Sequence, residues 1–148
     1  DGPTALVLSR QNLTVVTDGS AVVTGAGIVL DDPRAQVVLL ATGSEVSLCV
    51  EAAARLATDG IAVRVVSMPS WDRFEAQSAA FRQSVLPAGV PVLSVEAATT
   101  FGWARWADDS IGIDRFGASA PGAEVLDQLG INVANVVARA TALAHTKG

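Results

Sequence analysis

Two charged side chains and one small turn stand after predicted strands, where open α/β sheets bind their ligands. Glu96 and Arg10 each follow an apolar run, and so does the turn Thr42-Gly43-Ser44. A guanidinium can grip a phosphate with two parallel hydrogen bonds, so Arg10 is a candidate phosphate ligand. On the residues alone, a structural role for Glu96 and a surface linker around Arg10 are the simpler interpretations.

The turn at Gly43 differs from a phosphate-binding loop, which needs three spaced glycines and a bare helix N-terminus. Glu45 stands in the first turn of the helix predicted after Gly43. Its carboxylate would repel a phosphate. Thr42 with Glu45 three residues later instead predicts a capping box, in which each side chain bonds the other residue's amide.

The remaining reactive side chains lack the partners that chemistry needs. Cys49 lies on an apolar helical stripe without a neighbouring base, which predicts a small core residue. His145 lies near the chain end, so we expect it in a frayed tail. Because it is the single histidine, we expect no catalytic triad. The aspartate pairs at 31–32 and 108–109 lack the spaced ligands of a metal-binding loop, so we expect them to lie in solvated turns.

Composition limits the class of function. Half of the residues are apolar, which suits one domain with a substantial core. Ten basic against 15 acidic residues give a net charge of −5, and no basic stripe favours nucleic acid. One cysteine and no apolar run of about 18 residues predict a cytoplasmic protein without a membrane span. The start DGPTALVLSR has neither an initiator Met nor a signal pattern and suggests a fragment.

A strand, a helix and a second strand over 37–67 are predicted to position the candidate groups. The run 37–41 has no polar alternation, which is typical of a strand covered on both faces. A helix with one apolar stripe follows and stops at Gly60, and 61–67 returns as a parallel strand. Upstream, 28–30 predicts an edge strand, and its tight connection to 37–41 favours antiparallel pairing with that strand. The Thr-, Gly- and Ser-rich stretch 13–27 predicts a linker without a helix.

Alternating helices and strands continue to the end of the chain and predict a three-layer α/β/α sandwich with a mostly parallel sheet. We expect the tryptophans to be buried in a core or at a subunit contact and not to stack on a ligand. The further predicted elements are helices over 73–77 and 79–85, a strand over 92–95, a helix capped by Thr99 or Thr100 through Trp103 and Trp106, a strand over 110–113, a helix over 122–129, and a last helix capped by Asn132.

Five segments together resemble successive signatures of transketolase. They are LSRQNL at 8–13, ATGSEVSL at 41–48, VRVVSMPSWDRF at 63–74, SVLP at 84–87 and GIDRFGASAP at 112–121. Their order resembles the C-terminal domain of that family, preceded by the end of its pyrimidine-binding domain. The resemblance implies a division into 1–12, the linker 13–27 and the C-terminal domain 28–148. It also implies a mixed five-stranded sheet with one antiparallel edge strand.

The resemblance implies a reaction for the whole enzyme, which would be a cytoplasmic homodimer. Transketolases move a two-carbon ketol unit from a ketose phosphate to an aldose phosphate, in the pentose phosphate pathway and in the Calvin cycle of autotrophs. They use thiamine diphosphate and a divalent metal, Mg or Ca, held by their first two domains. Asp18-Gly19 lacks the leading Gly and the downstream Asn of the family's metal motif. We therefore expect no catalytic, cofactor or metal residue in this fragment, and no activity from it alone.

One functional residue of the family carries over to this sequence. The arginine of the SRQNL segment contacts the terminal phosphate of the substrate in transketolases, and it matches Arg10. Arg10 is therefore the predicted substrate-binding residue. The chain departs from the family pattern at Thr14 and over 26–30, in the linker and edge strand.

Three classes of function follow from the sequence. The first is a transketolase C-terminal domain that helps assembly and contributes Arg10. The second is an α/β module that binds a small regulatory ligand at its strand ends, near 42–44, 67–70 and Glu96. The third, an independent α/β enzyme, is disfavoured because no base or nucleophile is placed.

Overall fold

The computed structural model describes residues 3, 5, 8 and 11–146. Arg10 lies outside the described residues, as does most of the apolar run that precedes it. Within the described part, no helix is long and apolar enough to cross a membrane.

The sheet has five strands in the order β1-β3-β2-β4-β5. β1 runs antiparallel to β3 at one edge, and the other neighbours are parallel, so the mixed sheet with one antiparallel edge strand is confirmed. The strands are β1 (Gly27–Leu30), β2 (Val37–Ala41), β3 (Val63–Ser67), β4 (Val92–Val95) and β5 (Asp109–Ile111). The helices are α1 (Ala21–Thr24), α2 (Glu45–Thr58), α3 (Trp71–Glu75), α4 (Ala79–Val85), α5 (Gly122–Gln128) and α6 (Val133–His145), with a 3-10 turn at Trp103–Arg105.

β2 is the central strand, and all five of its residues are buried. Leu39 points into a core shared with α2 and α6, while Leu40 points into a second core with Phe74 and Trp103. Successive side chains of a strand face opposite sides, so an unbroken apolar run needs cover on both faces. The two cores confirm the three-layer sandwich.

The capping box predicted at Thr42 is wrong. Helix α2 begins at Glu45 after Ser44, and no side chain caps it. Gly43 has a φ of 58°, in the left-handed region, and a residue at the first helical position needs a φ near −60°. Thr42 therefore cannot be the N-cap. The Glu45 carboxylate instead accepts a hydrogen bond from the Ser44 hydroxyl at 2.6 Å.

The helix predicted from Thr99 or Thr100 is also absent, and only the 3-10 turn forms. Gly102 has a φ of 89°, which breaks any helix entering from the threonines. Both hydroxyls donate to Asp114, at 2.8 and 2.7 Å, and the Thr99 oxygen accepts a bond from the Phe101 amide at 3.2 Å, which holds the segment in a turn. A side chain distant in sequence therefore helps to fix the conformation of this segment.

The predicted linker 13–27 contains the short helix α1, whose Ala21 is buried. Four residues are too few to show a helical period in the sequence. β1 forms the antiparallel edge as predicted, but it pairs with β3, while the tight connection to β2 had suggested pairing with that strand.

Helix caps give the first testable prediction. The Asn132 side chain accepts a hydrogen bond from the Asn135 amide at 2.8 Å, at the start of α6. Asn132→Ala should lower the free energy of unfolding by about 1 kcal/mol because that amide loses its partner. Thr42→Ala, the matched control, should change it by less than about 0.5 kcal/mol. Denaturant unfolding of both variants measures this, and equal losses would contradict the assignment of the caps.

Candidate functional site

A cavity of about 750 Å³ opens where β2, β3 and β4 end, and this is the candidate site. It brings together the turn 42–44, Met68 with Pro69, and Glu96, which were predicted to stand near one another. The parallel strands β2, β3 and β4 are adjacent, so the segments that leave their carboxyl ends meet at one edge of the sheet. Trp71 and Trp103 form part of its wall.

Glu96 follows β4 directly and lines the cavity with its carboxyl group. Its backbone amide donates to the Ile111 carbonyl at 3.1 Å, which fixes the residue beside β5. The indole Nε1 of Trp103 donates to the Glu96 carboxylate at 2.5 Å. Burial raises the pKa of Glu96, the indole bond lowers it, and the Glu45 carboxylate raises it again. The net effect is an elevated pKa, so this carboxyl holds its proton more readily than an exposed glutamate does.

Glu45 brings a second carboxylate to the same cavity. Only 6% of the residue is exposed, and the carboxylate accepts a bond from the Ser44 hydroxyl. It occupies the first position of α2, where a bare N-terminus would otherwise attract an anion. Among the described residues, the lining of the cavity includes no Lys, Arg or His. The two described carboxylates favour a neutral or cationic ligand over a phosphate.

The indole rings of Trp71 and Trp103 pack against each other in the wall of the cavity. Their centroids lie 5.0 Å apart in a T-shaped arrangement, and only 2% of Trp103 is exposed. Edge-to-face aromatic pairs add about 0.5–1.5 kcal/mol beyond burial. Core burial is confirmed for Trp103. The sequence placed no tryptophan at the cavity, because Trp103 reaches Glu96 across a loop whose conformation Gly102 sets.

The acidic pairs considered as metal ligands are engaged elsewhere. Asp31 accepts from Arg64 at 2.8 Å, Asp32 pairs with Arg34, and Asp108 accepts from the Val92 amide. Asp109 pairs with Arg139 and lies on β5, so the turn predicted for it is wrong. Among the described residues, no three His, Cys, Asp or Glu side chains group as metal ligands.

Cys49 and His145 stand apart from the cavity. Cys49 is fully buried in the core between α2 and the sheet, and burial raises the pKa of its thiol. A protonated, buried thiol is a poor nucleophile, so its prediction as a core residue is confirmed. His145 is the exposed last residue of α6, with helical backbone where a frayed tail was predicted. The described cavity therefore holds carboxylates and indoles, a set that can hydrogen-bond a ligand but offers no placed nucleophile.

The family described as "Transketolase-like TK C-terminal domain" matches residues 25–132. The transketolase of Halalkalibacterium halodurans is 48% identical over 157 residues, which cover 99% of this chain and 24% of that protein. The chain thus spans about a quarter of the length of that relative.

Two solved structures are similar in fold as well as sequence. Transketolase from Leishmania mexicana superposes with a TM-score of 0.89 at 45% identity, over 93% of this chain and 21% of that one. Transketolase from Pichia stipitis, in complex with sedoheptulose 7-phosphate, gives 0.80 at 38% identity, over 83% and 18%.

The elevated pKa of Glu96 gives the second prediction. The ordinary value is 4.5, and above it the unfolded chain releases a proton that the folded chain still holds. The free energy of unfolding therefore falls as the pH rises from 4.5 through the folded pKa. Glu96→Gln removes this titration and keeps an oxygen for the Trp103 indole.

The stability of Glu96→Gln relative to the natural chain should consequently increase between pH 4.5 and 7 and stay constant below pH 3.5. Denaturant unfolding across this range measures the difference. A relative stability that falls with rising pH would show that the folded carboxylate is favoured, and the assigned direction would be wrong.

Proposed function

The chain belongs to the family of transketolase-like C-terminal domains, and we propose that it forms the C-terminal domain of a transketolase. The observation that carries this proposal is identity of 48% across 99% of the chain, confined to 24% of the relative. Such a match covers one region of a longer enzyme and nearly all of this sequence.

The enzyme would transfer a two-carbon ketol unit between sugar phosphates, using thiamine diphosphate and a divalent metal, Mg or Ca. The described residues do not fit the cofactor. The described lining of the strand-end cavity carries Glu45 and Glu96 and no cation, and a diphosphate needs positive charge or free amides. We therefore assign cofactor and metal to the domains that precede this one, in a cytoplasmic homodimer that serves the pentose phosphate pathway or the Calvin cycle.

The domain's own role in this proposal is structural and assembly-related. Its two cores are built from apolar residues, and the polar groups at its strand ends bond one another, as Glu96 does with Trp103. A second function, the binding of a small regulatory ligand, is favoured by the cavity itself. Glu45 and Glu96 would restrict such a ligand to neutral or cationic molecules.

Arg10 is proposed to bind the terminal phosphate of the sugar substrate. It falls within 1–12, the stretch that the resemblance assigns to the end of the pyrimidine-binding domain that would precede this one. The support is its match to the family's SRQNL arginine. A guanidinium holds phosphate equally in the ground and transition states, which makes its contribution one of uniform binding.

The third prediction tests this function in the full-length enzyme. With thiamine diphosphate and magnesium, the enzyme should transfer ketol units from a ketose phosphate to an aldose phosphate. Arg10→Ala loses hydrogen bonds to a charged group, worth roughly 1.5–3 kcal/mol. We expect kcat/KM for phosphorylated sugars to fall about ten- to a hundredfold, mostly through KM.

The control is a donor without phosphate, such as hydroxypyruvate, whose kinetics should hardly change. Arg10→Lys should recover only part of the loss, since a point charge replaces a two-pronged group. Equal losses on both donors would assign Arg10 to folding or to the cofactor. An enzyme without ketol transfer would overturn the proposed function itself.

A further inference from the structure

Four large apolar side chains are exposed at the carboxyl edge of the sheet. Phe116 is 97% exposed, Phe101 87%, Val23 72% and Val22 58%. Phe101 and Phe116 lie in the loops after β4 and β5, and α1 leads into Gly27, which pairs with Ser67 at the end of β3. We call Val22, Val23, Phe101 and Phe116 the carboxyl-edge patch.

Trp71 lies close to both parts of the patch, the valines of α1 and the phenylalanine at position 101. Gly102, next to Phe101, lies so close to the Trp71 ring that a Cβ at position 102 would stand 2.7 Å from it. Trp71 and Val22 both line the strand-end cavity. The patch thus borders the cavity at Val22, so a partner on the patch would also reach the cavity wall.

Asp114 holds the two phenylalanine-bearing loops together. Its carboxylate accepts bonds from the Thr99 hydroxyl at 2.8 Å, the Thr100 amide at 2.9 Å and the Thr100 hydroxyl at 2.7 Å. The Ile113 amide adds a bond to the Ala98 carbonyl at 2.7 Å. These bonds lower the pKa of Asp114, so the clamp is charged at neutral pH. Loops ordered before binding lose little further entropy when a partner docks.

The chain itself indicates which partner lies nearest. Ala5 and Leu8 line the same cavity, so the residues that precede the domain reach it at the carboxyl edge. The match covers 24% of the relative, so most of that relative's polypeptide lies outside the matched region. A tethered domain meets this face at high effective concentration.

We propose that the carboxyl-edge patch, with Phe101 and Phe116 as its clamped anchors, is the docking surface for the domain that precedes this one in the same polypeptide. The inference rests on the proposed function, which supplies that domain. Exposed aromatic side chains on ordered loops are typical anchors of protein interfaces. The docked domain would also close the mouth of the cavity over Glu96.

Thiol labelling of the full-length enzyme tests this surface. Phe101→Cys and Phe116→Cys are made singly, so that one anchor remains in each variant. Ala88→Cys is the control, because Ala88 is exposed before β4, at the opposite edge of the sheet. The native Cys49 is fully buried and should stay unlabelled. Iodoacetamide incorporation is followed peptide by peptide in folded samples and scaled to denatured ones.

We expect positions 101 and 116 to react at least about tenfold more slowly than position 88, which corresponds to about 1.4 kcal/mol of opening free energy. Equal rates would overturn the docking surface. Protection that disappears on dilution would assign the surface to a second copy and overturn the named partner. Ketol transfer by the same samples is a separate readout, so failure of the proposed function would be visible independently of the labelling.

Discussion

The structure depends on the burial of β2, the middle strand of a sheet that must be covered on both faces. None of its five residues is exposed, and each neighbouring strand pairs with it in parallel. Parallel neighbours require crossover connections, and these place helices over the sheet. One face is covered by α2 and α6, and the other by α3, α4 and the aromatic residues. The three layers follow from one apolar strand.

The same constraint fixes the position and the charge of the candidate site. Parallel strands bring the turn 42–44 and Glu96 to one edge, and α2 starts there with Glu45. A carboxylate at a helix N-terminus interacts favourably with the helix dipole, so the N-terminus attracts an anionic ligand less strongly. This edge therefore differs from the phosphate-binding edge of many α/β sheets. Its acidic groups and exposed phenylalanines suit contacts with another domain.

Sequence patterns identified the elements whose residues carry their own signal. β2, α4 and β4 have the predicted limits, because β2 and β4 are apolar runs and prolines at positions 87 and 91 bound α4 and β4. The errors occur where a distant residue decides. Asp114 takes the hydroxyls of Thr99 and Thr100 from 14 to 15 residues away, and this contact leaves no local pattern. At Gly43, the sequence permits either sign of φ, and the observed sign moved the start of α2. Glu96 was predictable as a strand-end residue, whereas its bond to Trp103 was not.

We propose that catalysis belongs to the preceding domains and that this chain supports their assembly. Calorimetric titration of thiamine diphosphate with magnesium tests it most directly. The titration is run on the 148-residue chain and on the full-length enzyme, with circular dichroism confirming that both are folded. We expect saturable heat from the full-length enzyme and none from the 148-residue chain alone. Saturable, magnesium-dependent binding by the 148-residue chain would contradict it.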